Sequence, residues 1–171
     1  MPIGDQYRKG MFKKILVPLD LSPQSQPVFE KALQLAVSNQ GNLMLLHVLC
    51  TDEESSPDFG ILVGLSYYPT ANQELLHTYQ QQWKDFAQKS VEALKSRCQI
   101  AMDAGVQAEY TQTIGKPGKT ICDLAKNWEA DLILMGRRGH SALGELVLGS
   151  VSQYVVHHGP CSVLIVQSHP A

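Results

Sequence analysis

KKILVPLDLSPQSQPVFEKALQLAVSNQGNLMLLHVL, residues 13–49, decides the fold. KKILVPLD (13–20) is a β-rich run that ends at Pro18 and Asp20, and NLMLLHVL (42–49) is a second continuous apolar run. Between them Val28, Ala32, Leu35 and Ala36 recur at three- and four-residue steps, the period of a helix. Ser22 followed by Pro23 supplies a start, an N-cap residue with proline at the first helical position, and Asn39-Gln40-Gly41 supplies a stop. Apolar runs without alternation belong to strands covered on both faces, which means a parallel sheet with helices on each side.

The rest of the chain repeats the unit. A long amphipathic helix carries Leu76, Tyr79, Trp83, Phe86, Leu94, Cys98 and Ala101 along one stripe, which reads as core. VQAEYTQTI (106–114) alternates like a strand, and GKPGKTICDLAKNW (115–128) is a loop and a helix with Ile121, Leu124, Ala125 and Trp128 inward. DLILMG (131–136) is a buried strand, GSVSQYVVHHGP (149–160) is a helix with a serine cap and a Gly-Pro stop, and CSVLIV (161–166) is the last strand. Five strands alternating with four helices predict a single-domain, open five-stranded parallel sheet with helices on both faces, a Rossmann-like α/β fold. Residues 1–12 read as an extension and 168–171 as a tail. Residues 51–70, TDEESSPDFGILVGLSYYPT, break the rhythm as a long loop insertion, acidic first and then apolar. It is either a lid or partner surface, or a cover for part of the sheet by Phe59, Ile61, Leu62 and Val63.

Composition removes several function classes. The 171 residues are 44% hydrophobic and 18% charged, which suits a domain that buries roughly 70% of its unfolded surface. No 18-residue stretch lacks charged or strongly polar residues, so no membrane span is expected, and MPIGDQYRKGMFKK lacks the apolar core of a secretory signal. Fourteen Lys+Arg against sixteen Asp+Glu leave a formal charge of −2, without the basic excess that broad phosphate neutralisation on nucleic acid needs. Cys50, Cys98, Cys122 and Cys161 are scattered, with no CxxC pair, and read as reduced thiols of a cytoplasmic protein. His157 and His158 are adjacent, so on a helix they point about 100° apart and cannot share a metal as an i, i+4 pair could. No metal site built from protein side chains alone is expected.

In open parallel sheets, ligands bind at the carboxyl ends of strands, near the point where strand order reverses. Three unusual segments fall at such ends: Asp20, GKPGKT (115–120) and GRRGHSALGELVLGS (136–150). The last carries Gly136-x2-Gly139-x9-Gly149-Ser150, directly after a buried strand and opening a helix. Glycines let backbone amides approach a ligand without Cβ interference, and a helix start offers free amides and the positive end of its dipole to a phosphate. Ser150 and Ser152 can add hydroxyl donors or help hold a metal ion, and Arg137 and Arg138 add fixed charge. The alternative is that the glycines only make turns and Ser150 only caps a helix. GKPGKT lacks the first glycine of a Walker A loop, since residue 113 is Thr113, and Pro117 suits the first turn of a helix. Lys119 then reads as a solvated helix residue, and a P-loop kinase or ATPase is not expected. Asp20 could accept from ribose hydroxyls, cap the helix entry or act as a receiver-type phosphoacceptor. The last wants an additional acidic pair near the start and a lysine after the last strand, where Gln167-Ser168 stands. No GxSxG nucleophile turn and no SGGxDS-type loop occur.

Together the opening KKILVPLDLSPQS, the LLHVL second strand, the ADLILMGRRG strand and turn, the Gly149-Ser150 helix start and the closing HHGPCSVLIV resemble a universal stress protein domain of the nucleotide-binding kind, over residues 13–167. The Gly-x2-Gly-x9-Gly-Ser spacing is that family's ATP-binding signature and is intact here. The resemblance implies an adenine nucleotide α-hydrolase-like form of the sheet. By position it implies that Asp20 lies beside ribose and adenine, that Pro18 shapes the base pocket and that the backbone of Val48 faces the adenine edge. Gly136, Arg138, Gly139, Gly149, Ser150, Val151 and Ser152 would hold ribose and phosphates, and Met135 joins the nucleotide-binding set. ATP with Mg2+ or Mn2+ is the implied cofactor. Members commonly dimerise by pairing the last strand, here Val163, Leu164, Ile165 and Val166, an apolar edge that would otherwise invite uncontrolled pairing. Two departures stand out: the 51–70 segment is long for the family, and Leu19 falls where members often carry a small polar residue, which alters the expected pocket polarity.

The expected function is a nucleotide-responsive stress regulator, a cytoplasmic homodimer that binds ATP and neither nucleic acid nor membrane. No general base is placed to activate water, so at most slow ATP hydrolysis, or autophosphorylation on Ser150 or Ser152, is expected. Two alternatives stay open: a nucleotide-independent interaction module recruiting a protein partner through 51–70, and a sensor of AMP or a cyclic nucleotide.

Overall fold

β1 (Lys14–Pro18) is the middle strand of a five-stranded parallel sheet with the order β3-β2-β1-β4-β5. The sheet comes from a computed structural model that describes residues 11–53, 55–58, 72–137 and 148–167. In chain order the other elements are α1 (Ser25–Asn39), β2 (Asn42–Leu49), α2 (Asn72–Asp103), β3 (Ala108–Ile114), α3 (Pro117–Asn127), β4 (Leu132–Gly136), α4 (Ser150–His158) and β5 (Ser162–Val166). The chain winds outward from β1 through β2 to β3, then returns to the other side of β1 for β4 and β5. The reversal lies between β1 and β4, where Ile15 stands opposite Leu132 and Leu16 opposite Ile133.

Strand side chains alternate between two apolar layers, as the period of two requires. Ile15, Val17, Leu43, Leu45, Leu132 and Leu134 pack with Val28, Phe29, Ala32 and Ala36 of α1 and Leu94, Cys98 and Ala101 of α2. Leu16, Met44, Leu46, Val48, Ile133 and Met135 pack with Ile121, Cys122 and Ala125 of α3 and Val155 of α4. Every residue from Leu43 to Leu49 is buried, which is why β2 reads as an unbroken apolar run. Leu19 extends the β1 ladder by donating its N–H to the Leu46 carbonyl at 2.8 Å.

Several local expectations change. α1 begins at Ser25, with Gln24 as N-cap and no side-chain cap, because Ser22 and Pro23 form a preceding turn in which Ser25 N–H donates to the Ser22 carbonyl. Its end is closed by Gln40 in the left-handed region (φ 50°), while the Gly41 N–H reaches the Ala36 carbonyl at 2.9 Å. Gly41 is needed for space: a Cβ there would lie 2.7 Å from the Phe12 carbonyl oxygen. Gly149, and not a serine, is the N-cap of α4, with Ser150 the first helical residue. On α2 the stripe is buried at Tyr79, Phe86, Leu94, Cys98 and Ala101, Trp83 is half-buried, and Leu76 is 41% exposed because the first turns run beyond the packed part of the sheet.

Among the described residues, no helix is long and apolar enough to cross a membrane, and no group of three His, Cys, Asp or Glu side chains could hold a metal ion. The expected roles of Arg138, Gly139, Phe59, Ile61, Leu62 and Val63 fall outside the described residues.

Candidate functional site at the carboxyl edge of the sheet

The β1–β4 reversal brings the turn after β1 close to the end of β4. Asp20 is fixed there by neighbouring hydroxyls and amides. Its Oδ1 accepts from the Ser22 N–H at 3.0 Å, from the Ser22 hydroxyl and from the Ser25 hydroxyl at 2.6 Å. The Asp20 N–H in turn donates to Ser25 Oγ at 3.0 Å, so buried Ser25 grips both the backbone and the carboxylate. The half-buried Arg97 of α2 has its pKa lowered by burial, an effect that the Asp20 charge opposes. Asp20 is therefore an oriented carboxylate beside a cation, suited to accepting from a polar ligand. Pro18 is half-buried at the end of β1, and Leu19 is in the α1–α2 core layer with Val28 and Phe29. Leu19 thus spends its side chain on packing, and the expected change in pocket polarity has no basis in its position.

Val48 and Met135 are buried in the α3–α4 layer, leaving their backbone as the part available at the strand ends. Gly136 closes β4, where a Cβ would sit 3.1 Å from Val28 Cγ2, so this glycine serves the close approach of α1. Gly149 has φ −61° and ψ 156°, an extended conformation open to any residue, so positive φ does not explain it. The first intrahelical bond of α4 runs from the Gln153 N–H to the Gly149 carbonyl at 2.8 Å. The amides of Ser150, Val151 and Ser152 precede it, and their N-cap, Gly149, has no side chain to offer them. The two serines differ. Ser150 is exposed, whereas Ser152 is fully buried and donates its hydroxyl to the Gly149 carbonyl at 2.9 Å.

Ser150 and Val151 open onto a groove of about 1040 Å3. Leu49, Cys50, Thr51 and Asp52 line it from the end of β2, Ile114 through Lys119 from the β3–α3 connection, Tyr79 and Trp83 from α2, and Tyr154 from α4. Two helix starts meet here, since α3 also begins without a side-chain cap, at Lys116 and Pro117. Tyr79, Trp83 and Phe86 form an edge-to-face run, with centroids 6.3 and 5.6 Å apart. The groove therefore brings aromatic surface together with two helix starts whose N-cap residues supply no side-chain cap, which fits a ligand with a flat apolar part and an anionic part. Pro18, Asp20, Val48, Met135 and Gly136 are not in its lining; they lie at the neighbouring strand ends.

GKPGKT receives a structural explanation. A Cβ at Gly118 would lie 2.7 Å from Tyr154 Cδ1 and 2.9 Å from its Cγ, so the glycine lets α3 and α4 cross closely. Lys119 is exposed and paired with Asp123 one turn on, which raises its pKa. Sequence reasoning missed the groove walls at Asp52, Trp83 and Tyr154. Trp83 shares the i, i+3, i+4 stripe of core residues, and nothing local separates a wall from a core position.

The universal stress protein family model matches residues 11–167. Universal stress protein Sll1388 of Synechocystis is 38% identical over 160 residues, covering 91% of this chain and 98% of the relative. The structure of universal stress protein UspA from Lactobacillus plantarum superposes with a TM-score of 0.68 at 28% identity, covering 90% of this chain and 97% of that one. A universal stress protein family protein from Arabidopsis thaliana with AMP bound shares the fold at 19% identity and a TM-score of 0.58, covering 92% of each chain. The Rossmann-like sheet with its reversal at β1–β4, the uncapped start of α4 and these matches agree: the chain belongs to the universal stress protein family.

Proposed function

We propose that this protein binds an adenine nucleotide, ATP with Mg2+ or Mn2+ first, at the carboxyl edge of its sheet and acts as a nucleotide-responsive regulator in the cytoplasm. The observation that carries the reading is the start of α4. Three amides without a side-chain cap open beside an aromatic-walled groove, at the edge where the strand order reverses. Asp20 accepts from the ribose, Pro18, Val48 and Met135 frame the base, and Gly136, Arg138, Gly139, Gly149, Ser150 and Val151 hold ribose and phosphates. Ser152, whose hydroxyl is turned back on Gly149, holds the loop. The metal would be carried by the phosphates, and the exposed Ser150 hydroxyl would be available to help hold it. Hydrolysis is slow at most, and of the two serines only exposed Ser150 is a candidate phosphate acceptor.

Adenosine monophosphate is the second reading, favoured by the Arabidopsis neighbour that holds AMP on this fold. The protein pairs with a second copy through the outer edge of β5, the last strand of the sheet, where Leu164 is exposed and Val163, Ile165 and Val166 are half-buried.

Equilibrium binding of ATP and AMP, each with and without Mg2+, to the wild type and to Gly149→Val tests the reading. ATP binding that is lost in the variant supports it. Stronger binding of AMP keeps the pocket and changes the ligand. Binding of neither nucleotide overturns it and leaves an interaction module.

A further inference from the structure

Beneath the Asp20 turn lies a polar cluster that no step above uses. His47 of β2 and Glu53 of the following loop are 2% and 5% exposed, and His47 Nε2 stands 2.9 Å from Glu53 Oε2. The other carboxylate oxygen, Oε1, accepts the Leu21 N–H at 3.0 Å and the Ser55 hydroxyl at 3.0 Å. On the far side of the imidazole, Gln112 of β3 stands 3.5 Å from His47 Nδ1, and it also donates to Ser90 Oγ and to the Ala87 carbonyl. The tautomer that fits has Nε2–H donated to Glu53 and Nδ1 facing Gln112.

A carboxylate held out of water is costly unless every partner is in place. Here the partners belong to three separate elements: the turn after β1, the loop after β2, and β2 itself. Leu21 directly follows Asp20, so its amide is the point at which this buried pair grips the turn. We propose that Glu53, held by His47, is a positioning residue that fixes the Asp20 turn for the ribose of the nucleotide. The inference rests on the reading of Asp20 given above. Ser22 and Ser25 orient the carboxylate within the turn; Glu53 fixes the turn relative to the sheet.

Removing one partner strands the other, so the pair is replaced together by His47→Leu/Glu53→Leu, which keeps the site filled and uncharged. Glu53→Gln is the conservative control. Its oxygen still accepts from Leu21 and Ser55, and its amide donates to His47 in the other tautomer, at the expense only of the 3.5 Å contact with Gln112. ATP and 2′,3′-dideoxy-ATP are titrated against all three proteins. The wild type is expected to prefer ATP. The double variant should bind ATP about tenfold more weakly and lose that preference, with its affinity for the dideoxy analogue changed by less than about twofold. Glu53→Gln should keep the preference. A merely structural role would weaken both nucleotides alike.

Retained preference in the double variant overturns the proposal while leaving the ribose reading intact. A wild type that binds both nucleotides equally overturns the ribose reading, and this proposal with it. Amide hydrogen exchange of the wild type gives a readout independent of how the variants fold. The Leu21 amide should be protected well above an open-loop amide, and free exchange there refutes the grip on the turn.

Discussion

Replacing Gly118 by alanine should destabilise the protein, although glycine to alanine within a helix ordinarily stabilises. The alanine Cβ would lie 2.7, 2.9 and 3.0 Å from Cδ1, Cγ and Cβ of Tyr154. A rotamer change can swing Cγ and Cδ1 away but leaves Cβ, fixed to the α4 backbone, at 3.0 Å, so the ring must leave its packed position and the helices must also give way. Overpacking of this kind costs about 1–3 kcal/mol. The intrinsic helix gain is at most about 1 kcal/mol, and position 118 lies in the first turn, where it is smaller. The net loss of about 1–2 kcal/mol corresponds to a fall in Tm of roughly 3–8 °C for a chain of this size. Tyr154→Ala removes the obstacle together with the ring that stacks on His158 at 4.1 Å. The double variant Gly118→Ala/Tyr154→Ala should therefore be more stable than the sum of the single effects by about 1 kcal/mol. Urea denaturation and thermal melting of the four proteins measure the cycle. A Gly118→Ala protein that melts at or above the wild type refutes the packing account. One that keeps its Tm and loses nucleotide binding marks a phosphate-wrapping glycine instead.

Further outcomes are expected. Ser25→Ala removes the group that holds both the Asp20 carboxylate and its N–H, so ATP affinity should fall by about three- to tenfold, and an unchanged titration would dissociate Asp20 from the nucleotide. Asp131→Ala removes the carboxylate oxygen that accepts from the Lys13 and Lys14 amides at 2.8 Å each, which should cost about 1–2 kcal/mol in urea denaturation. Burial raises the thiol pKa of Cys98, Cys122 and Cys161, so these thiols should alkylate slowly near neutral pH. The same shift contributes stability that is intact below the unfolded thiol pKa of about 8.5 and is lost as pH rises from there through the raised folded values, so Tm should decline in that window and be restored by replacing the three cysteines. Ile165→Lys on β5 should convert the proposed dimer to monomer in sedimentation velocity, and a wild type that sediments as monomer removes the edge-pairing proposal.

The sheet was legible because its signals are local. Short unbroken apolar runs such as NLMLLHVL fit strands covered on both faces, and the helices between them carry the 3.6 period. Strand order was not read from the sequence; it is set by the crossovers that place β4 and β5 on the other side of β1. What local pattern could not separate was the purpose of each polar or small residue. Ser22 looks like an N-cap and serves Asp20; Gly118, which ends an incomplete Walker A pattern, lets α3 and α4 cross, and Gly136 also admits Val28 of α1. Ser152 looks like a phosphate donor and closes its own loop. Glu53 lies in the acidic start of the 51–70 segment, where nothing local marks it, and its burial depends on an imidazole six residues earlier and an amide from another loop. Each of these assignments is settled by a residue distant in sequence or by a single turn's geometry, and spacing alone carries neither.

The two ends of the sheet are finished differently, and the difference is an argument about function independent of any motif. At the amino end the chain uses its own side chains to satisfy the groups that helix ends expose. Lys13 Nζ donates to the Asn39 carbonyl at the end of α1, Lys14 Nζ donates to the Trp128 carbonyl after α3, and Asp131 takes the two amides that enter β1. At the carboxyl edge the N-cap residues of α1, α3 and α4 (Gln24, Lys116 and Gly149) supply no side-chain cap, a device that stabilises by about 1 kcal/mol, although the Ser25 and Gln26 amides of α1 are taken by the Ser22 and Pro23 carbonyls. Ser25 and Ser152 direct their hydroxyls elsewhere, the first to Asp20 and the second to Gly149. A sequence selected for stability alone would close both ends alike. Among the described residues, α4 starts on a glycine that has no side chain to offer its first amides, which is the physical mark of an anion-binding edge, and it is there that nucleotide binding should be sought.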